Sequence, residues 1–222
     1  MDIKLPYTPR KHQSFLHNQI SKHRWSVLVC HRRFGKTVCM INHLIRSALL
    51  SKQKNPRYAY ISPTFKQSKS IAWDYMKQFT NKIPYIKFNE TELRVDLPNG
   101  ARITLLGSEN SDGLRGIYLD GCVIDEYANV HSKLFPEIIR PALSDRKGYC
   151  VFIGTPQGMN NNFYELYQHA QGADDWFNYK AKASDTKIVD EDEFVKAKEV
   201  MGEKKYLQEF ECDWIAKIAL SL

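Results

Sequence analysis

Short apolar runs alternate with stretches of helical periodicity along most of this chain. Continuous apolar runs that are rich in β-branched and aromatic residues predict strands buried on both faces of a sheet. Such strands are predicted over residues 25–30, 57–62, 122–124, 149–154 and 177–183. Helices are predicted over about 12–22, 37–51, 66–80, 132–139, 163–170, 190–201 and 203–212. The alternation is typical of an α/β fold, in which helices cover both faces of a mostly parallel sheet.

Residues 85–107 break this alternation. Short strands are predicted over 86–88, 92–97 and 101–106, and Pro98-Asn99-Gly100 is a hairpin turn signal. A polar segment that contains glycine, residues 107–116, follows as a predicted loop. We therefore expect a β-hairpin inserted into the α/β fold.

The strand 25–30 leads into a basic loop that ends in Gly35-Lys36-Thr37, where a predicted helix begins. A strand, a loop, Gly-Lys-Thr and a helix, in this order, bind the phosphates of a nucleoside triphosphate. Backbone N–H groups at the helix start face the phosphates, and the helix dipole favours their negative charge. Lys36 is expected to reach the β- and γ-phosphates and Thr37 to bind Mg²⁺. The usual pattern has glycine six residues before the lysine, where this chain has Cys30.

Two arginines add positive charge to this loop. Either one of Arg32 and Arg33 contacts phosphate or both lie on the loop surface, and we favour Arg32 because it stands four residues before Lys36. The expected ATP-binding segment consists of Arg32, Arg33, Phe34, Gly35, Lys36 and Thr37.

Asp125 and Glu126 follow the apolar run 122–124. Two adjacent carboxylates at the end of a buried strand are costly to bury without a cation, by several kcal/mol for each unpaired charge. Mg²⁺ removes this difficulty: Asp125 would hold the ion, directly or through water, and Glu126 would polarise the attacking water as general base. The alternative is a strand that runs out into an exposed acidic turn.

Two polar residues stand where a nucleotide site would use them. Thr155 follows the strand 149–154, a position from which a side chain senses the γ-phosphate and relays hydrolysis; the alternative is an ordinary turn at a strand end. Gln13 precedes the first strand, where its amide is able to read the adenine edge; the alternative is one surface glutamine among several.

Arg115 lies in the loop before the acidic strand, between Gly113 and Gly116. Flanking glycines let the backbone bend and present the side chain. An arginine offered to a γ-phosphate, in cis or from a neighbouring subunit, accelerates phosphoryl transfer by ~10³–10⁵. The alternative is an ordinary surface arginine.

Charge and composition indicate the class of partner. The chain has 32 Lys and Arg against 25 Asp and Glu, a formal net charge of +7, which suits a polyanion such as nucleic acid. No apolar run approaches the ~20 residues of a membrane span, and the N-terminus lacks the apolar core of a signal peptide, so we expect a soluble protein without a membrane partner. The five cysteines form no C-x-x-C pair and are expected to be reduced core thiols.

Taken together, these segments resemble the ATPase domain of the large terminase subunit, the motor that packages DNA into the heads of tailed bacteriophages. The resemblance covers nearly the whole chain, and the order and spacing of its segments fit. It rests on residues 9–13, 32–37, 62–64, 114–116, 123–126 and 154–158, and residues 206–214 look like the end of the family's ATPase region. The family's phosphate loop is commonly arginine-rich and lacks the first glycine, which accounts for Cys30.

The resemblance implies a three-layer P-loop NTPase fold of the RecA-like ASCE type with a mostly parallel sheet and an inserted β-hairpin. It implies Mg²⁺-dependent ATP hydrolysis that drives double-stranded viral DNA into a procapsid. The implied partners are the portal protein and the small terminase subunit, in a homo-oligomeric ring, usually a pentamer, in the host cytoplasm. The isolated domain is expected to be monomeric and a slow ATPase. The implied roles are adenine reading by Gln13, phosphate and Mg²⁺ binding by Lys36 and Thr37, Mg²⁺ binding by Asp125, catalysis by Glu126, coupling by Thr155, and a trans-acting arginine finger at Arg115.

The chain also departs from the family. Full-length large terminases carry an RNase H-like nuclease domain with clustered acidic metal ligands. We expect residues 1–214 to form the ATPase domain and residues 215–222 to begin a linker to that second domain. Nuclease activity is therefore not expected in this chain, whether the protein was cut or its gene is split or damaged.

Three alternative functions share part of the pattern, one of them enzymatic. A superfamily 2 helicase lobe has an upstream glutamine, Gly-Lys-Thr and an Asp-Glu strand, but it needs a second RecA-like lobe that carries its arginine fingers. A nucleotide-gated DNA clamp would bind ATP without turnover, and it would not require the carboxylate of Glu126. An unrelated basic α/β binding domain with chance motifs is the third alternative.

Overall fold

A single mixed sheet organises residues 4–215, the part of the chain that this computed structural model describes. Eight strands were assigned in that part: β1 Trp25–Cys30, β2 Arg57–Ser62, β3 Lys87–Asn89, β4 Arg94–Asp96, β5 Arg102–Gly107, β6 Gly121–Asp125, β7 Tyr149–Gly154 and β8 Trp176–Ala181. Their order across the sheet is β3-β4-β5-β2-β6-β7-β1-β8.

Six neighbouring strands, from β5 to β8 in this order, are parallel. Their carboxyl ends therefore meet at one edge of the sheet, where doubly wound α/β folds bind ligands. The strands β3 and β4 are antiparallel to their neighbours and extend the sheet beyond β5. The turn between β4 and β5 closes with a hydrogen bond from the Leu97 N–H to the Ala101 carbonyl (2.8 Å), which confirms the inserted hairpin.

Helices lie between the strands, before the first strand and after the last one. They are α1 Lys11–Ile20, α2 Lys36–Leu50, α3 Phe65–Gln67, α4 Asp74–Thr80, α5 Arg140–Ala142, α6 Asn162–Gln171, α7 Ala183–Thr186, α8 Glu191–Met201 and α9 Glu203–Glu209. Shorter helical turns were assigned at Ser68–Trp73 and Leu134–Ile139, which are π-helical, and at Ser108–Leu114 and Tyr127–Asn129, which are 3₁₀.

Each face of the sheet carries its own apolar core. On one face α1, α2 and α4 pack on the sheet, with fully buried residues such as Leu16, Ile41 and Met76. On the other face the segment Leu134–Ile139 and α6 pack through residues such as Leu134 and Phe163. The two faces confirm the predicted arrangement of helix layers around a mostly parallel sheet.

Several element boundaries differ from the prediction, among them those of a strand, a helix and a loop. The strand predicted to reach Ala183 ends at Ala181, because Ala183 donates its N–H to the Phe210 carbonyl (2.8 Å) and begins α7. The last helix, predicted to reach Cys212, ends at Glu209, and Cys212 has a left-handed backbone (φ +54°) that no α-helix accommodates. The loop predicted over 107–116 contains the 3₁₀ segment Ser108–Leu114.

Other expectations concern the cysteines and the ends of the chain. All five cysteines are buried and unpaired, as predicted. Among residues 4–215, no helix combines the length and the apolar character needed to cross a bilayer. The proposed linker at 215–222 falls almost entirely on residues 216–222, which lie outside the described part of the chain.

Candidate active site

The loop between β1 and α2 turns sharply at Gly35. Its backbone is left-handed (φ +89°), and a Cβ added there would lie 3.0 Å from Gln13 Nε2. Glycine suits this position because it alone adopts such a conformation without a steric penalty, and it leaves no side chain between the loop and α1. The N–H groups of the first turn of α2 are thereby exposed at the carboxyl edge of the sheet, as anion binding requires.

Lys36 is the first residue of α2, and its ammonium lies between the ends of two strands. Its Nζ donates to Thr155 Oγ1 (3.1 Å), to the Cys30 carbonyl (3.4 Å) and to the His31 carbonyl (3.5 Å). Thr155 Oγ1 in turn donates to the Cys30 carbonyl (3.3 Å). The structure thus brings the predicted phosphate-binding lysine and the predicted coupling threonine into direct contact.

Asp125 ends β6 and is buried. Its Oδ2 accepts a hydrogen bond from the Tyr60 hydroxyl, and its Oδ1 accepts one from the Glu126 N–H (2.9 Å). Burial raises the pKa of the Asp125 carboxyl, while the hydrogen bond from Tyr60 and the charge of Lys36 act in the opposite direction. Burial raises the pKa of the Tyr60 phenol, and the neighbouring Thr37 side chain acts in the opposite direction. Thr37 and Asp125, predicted to bind the same ion, therefore both lie beside the Tyr60 hydroxyl.

Glu126 follows with a left-handed backbone (φ +47°), which turns the chain away from the direction of β6. Its side chain is largely removed from solvent, and burial together with the neighbouring Asp125 raises the pKa of its carboxyl. Lys36 and Arg32 oppose this shift, whereas the carboxylate of Glu209 adds to it. A carboxylate whose pKa is raised toward neutrality is a stronger proton acceptor than an exposed one.

These groups fit Mg²⁺. The ion prefers carboxylate and hydroxyl oxygens and keeps several waters, so one carboxylate and one hydroxyl beside a phosphate-binding loop suit it. Burial raises the pKa of Asp125, so a cation at this place would offset the cost of its ionised form. Thr37 and Asp125 are the residues placed to hold the ion.

Gln13 lies on α1 and is buried against the phosphate loop. Its Nε2 donates to the Gly35 carbonyl (3.4 Å), and its Oε1 accepts from the Arg10 N–H (2.9 Å) and the Tyr7 hydroxyl (3.4 Å). The amide therefore links the start of α1 to the loop, and its position beside the loop is compatible with the predicted reading of adenine.

The remaining loop residues divide into exposed and buried ones. Arg32 and Arg33 are exposed, and Arg33 has a left-handed backbone (φ 70°). Phe34 is fully buried in the core beneath α2, so only its backbone faces the loop. Arg32 opposes the rise in the pKa of Glu126, so the charge of Arg32 lies near Asp125 and Glu126.

Arg115 lies on a different element, in the stretch that follows the 3₁₀ segment Ser108–Leu114. It is exposed, and its guanidinium approaches the Glu137 carboxylate at 3.9 Å. Within one chain the structure pairs Arg115 with Glu137 on the outer surface, whereas the other predicted site residues gather at the phosphate loop.

Three residues of the site were missed by the sequence reasoning. Tyr60 was assigned only to a strand, although a buried tyrosine needs a partner for its hydroxyl. His31 is buried in the loop, where its Nδ1 donates to the Arg32 carbonyl (2.6 Å) and its Nε2 lies 2.8 Å from Thr186 Oγ1. Glu209, at the end of α9, accepts the Arg32 N–H at its carbonyl (2.8 Å). No local sequence signal connects residue 209 to the loop.

The comparisons with known proteins agree with this geometry. The protein-family model described as "Terminase large subunit, T4likevirus-type, N-terminal" matches residues 29–219. The large terminase subunit of Thermus virus P23-45 is 25% identical in an alignment of 182 residues that covers 73% of this chain and 36% of that protein. The chain thus spans about a third of the length of this curated relative.

Solved structures show the same fold. The large terminase ATPase domain of Thermus phage P74-26 superposes with a TM-score of 0.79 at 20% identity, covering 94% of this chain and 95% of that one. The large terminase of another thermophilic bacteriophage, solved in complex with ADP, gives a TM-score of 0.78 at 15% identity, covering 92% of this chain and 53% of that one. The predicted fold class, a RecA-like P-loop NTPase, is confirmed. Because the family match extends over most of its length, the chain belongs to the family of T4likevirus-type large terminase subunits and corresponds to their N-terminal region.

Proposed function

We propose that this chain binds and hydrolyses Mg²⁺·ATP as the ATPase region of a large terminase subunit, and that hydrolysis drives double-stranded viral DNA into a procapsid. The observation that carries the proposal is the contact of Lys36, the first residue of α2, with Thr155 after the end of β7, beside the buried carboxylate of Asp125 whose pKa its charge influences. The large terminase of a thermophilic bacteriophage, which shares this fold, was solved in complex with ADP.

The proposed chemistry uses the chain's own groups in the following way. The ammonium of Lys36 exchanges its present acceptors for the β- and γ-phosphates and neutralises their charge. Glu126 orients the attacking water and accepts its proton, a role favoured by the burial that raises its pKa. A bound Mg²⁺, held by Thr37 and Asp125, supplies charge neutralisation at the phosphate oxygens.

Recognition of the rest of the nucleotide is assigned to residues around the loop. Gln13, held beside Gly35, would read the adenine edge. Arg32 is the proposed phosphate contact, because its charge lies near Glu126, while Arg33, Phe34 and Gly35 shape the loop.

The proposed assembly is a homo-oligomeric ring, with a pentamer as the expected form, docked on a portal protein and served by a small terminase subunit in the host cytoplasm. Arg115 would act there as an arginine finger in the site of a neighbouring subunit. Its exposure, on an element other than the phosphate loop, supports action between subunits. The formal net charge of +7 supports double-stranded DNA as the polyanion that is moved.

Phosphate release from ATP, measured over a wide range of protein concentrations with and without double-stranded DNA, tests this proposal. Activity per chain should rise with concentration, because each site gains a neighbour's arginine only in an assembled ring. A constant activity per chain would instead favour a self-contained lobe. Binding of ATP without turnover at any concentration would favour a clamp.

A further inference from the structure

The hydroxyl of Tyr60 occupies a polar position inside an apolar core. The side chain is 1% exposed and belongs to the cluster beneath α2 that also contains Val123 and Ile41. A phenylalanine would bury at least as much apolar surface there without the need to satisfy a hydroxyl group. The presence of the hydroxyl therefore calls for a specific partner.

The sheet register explains how Tyr60 reaches Asp125. Tyr60 in β2 pairs with Val123 in the neighbouring strand β6. Asp125 follows Val123 by two residues, so both side chains project from the face that α2 covers. The Tyr60 hydroxyl donates to Asp125 Oδ2, and the Glu126 N–H donates to Oδ1, so both carboxylate oxygens are held by fixed donors.

The same hydroxyl also lies beside the first turn of α2, where the Thr37 side chain opposes the rise that burial causes in the pKa of the phenol. A phenol has one hydrogen to donate, and here it goes to the carboxylate, which is able only to accept. The phenol oxygen is therefore left as an acceptor toward the Thr37 hydroxyl. A threonine hydroxyl that directs its hydrogen at Tyr60 has its lone pairs left for a cation.

We infer that Tyr60 is a positioning residue for the Mg²⁺ of the bound nucleotide, holding the Asp125 carboxylate and the Thr37 hydroxyl in one fixed arrangement. The inference rests on the proposed function and deepens it. Outer partners that orient metal ligands typically change metal affinity by about 10–100-fold when they are removed. Loss of the Tyr60 hydroxyl should therefore act on the response to Mg²⁺ and not on nucleotide binding in general.

The test compares Tyr60→Phe with Tyr58→Phe. Tyr58 lies on the same strand, but its hydroxyl donates to the Ser47 carbonyl (3.2 Å), near the other end of α2. Binding of ATPγS is measured by calorimetry, in EDTA and over a series of free Mg²⁺ concentrations. Mg²⁺ should raise the affinity for ATPγS, and the free Mg²⁺ concentration at which half of this increase is reached should be about 10–100-fold higher for Tyr60→Phe than for the wild type. The affinity for ATPγS in EDTA should be unchanged. Tyr58→Phe should match the wild type.

The possible outcomes separate the inference from the function on which it rests. A wild-type response to Mg²⁺ in Tyr60→Phe, or an equal loss of affinity in EDTA, would overturn the positioning role and leave the proposed function standing. Absence of any Mg²⁺-dependent binding by the wild type would overturn the proposed function itself.

A second measurement applies if Tyr60→Phe does not fold. The full chain with 3-fluorotyrosine at position 60 alone is followed by ¹⁹F NMR. Its resonance should move when Mg²⁺ is added to the protein saturated with ATPγS, because the phenol hydrogen-bonds Asp125 and lies beside Thr37. A resonance unaffected by Mg²⁺ under these conditions would contradict the inference.

Discussion

Lys36 donates a hydrogen bond to Thr155, with 3.1 Å between Nζ and Oγ1, and this bond joins the first residue of α2 to the end of β7. Thr155 Oγ1 in turn donates a hydrogen bond to the carbonyl of Cys30, the last residue of β1. The group expected to bind the γ-phosphate and the residue expected to sense it are thus direct neighbours. Withdrawal of Lys36 toward a phosphate would free Thr155 from one of its two partners.

Replacing Lys36 with alanine should abolish ATP turnover. The loss of charge-assisted hydrogen bonds to phosphate, each contributing about 1.5–3 kcal/mol, should weaken ATP binding by at least about tenfold. Calorimetry and phosphate release measure the two effects, with Lys66→Ala, an exposed lysine of α3, as the control. Unchanged turnover in pure, folded Lys36→Ala protein would refute the assignment of the phosphate loop.

Replacing Thr155 with valine should separate binding from turnover. Valine keeps the shape of the side chain but removes the hydroxyl that accepts from Lys36 and donates to the Cys30 carbonyl. We expect ATP affinity within about threefold of the wild type and turnover lowered by about tenfold, the effect of one lost hydrogen bond near 1.4 kcal/mol. An equal fall in affinity and in turnover would point to a structural effect on the loop instead.

Replacing Glu126 with glutamine should leave ATP bound but not hydrolysed. Glutamine keeps the size of the side chain and is unable to accept the proton of water, so turnover should fall by about 10²–10⁴. Glu165→Gln, on the exposed face of α6, is the matched control. If calorimetry and phosphate release show the same proportional loss, Glu126 serves binding and is not the general base.

The pattern of apolar residues was sufficient to predict the layers of the fold. The buried strands β1, β2 and β7 have the predicted bounds, because a strand covered on both faces is mostly apolar. The π-helical segments Ser68–Trp73 and Leu134–Ile139 were not foreseen, since a wider turn leaves the apolar periodicity almost unchanged. The end of the last helix depends on the conformation of Cys212, which propensity does not specify.

The candidate site was predictable where its residues form a local motif or stand at a recognisable position relative to a predicted strand. Gly35-Lys36-Thr37 and Asp125-Glu126 are recognisable by their spacing and by their position after apolar strands. Tyr60 and Glu209 reach the site through strand pairing and through the packing of α9, which are tertiary relationships. These two residues became visible only when the sheet order was known.

Arg115 should act between subunits. Mixing Arg115→Ala protein with Glu126→Gln protein should restore part of the hydrolysis in mixed rings, because some sites then combine an intact Glu126 with a neighbour's Arg115. Arg140 is a second exposed arginine near Glu137, and it serves as the control. Arg140→Ala protein should hydrolyse ATP without being mixed with another variant. No recovery in rings shown to contain both proteins would indicate that Arg115 acts in cis or not at all.

The stability of the domain should fall in mild acid because of two stacked histidines between α1 and α2. His17 and His43 lie with ring centroids 5.4 Å apart and Nδ1 atoms 3.1 Å apart. Burial, together with the charge of Arg46, lowers the pKa of His17 from 6.5 to about 4. Burial, the charge of His17 and that of Arg46 lower the pKa of His43 from 6.5 to about 3.

The unfolded chain binds protons on both histidines below about pH 6.5, while the folded chain does not until about pH 4 or lower. The free energy of unfolding should therefore decrease as the pH falls through this window, by about 1.4 kcal/mol per histidine and pH unit at most. Urea titrations between pH 7 and about pH 4.5 measure the slope. His43→Gln, which keeps a hydrogen-bonding side chain opposite His17, should flatten it, and exposed His131→Gln should not. A slope unchanged by His43→Gln would assign the acid sensitivity to other groups.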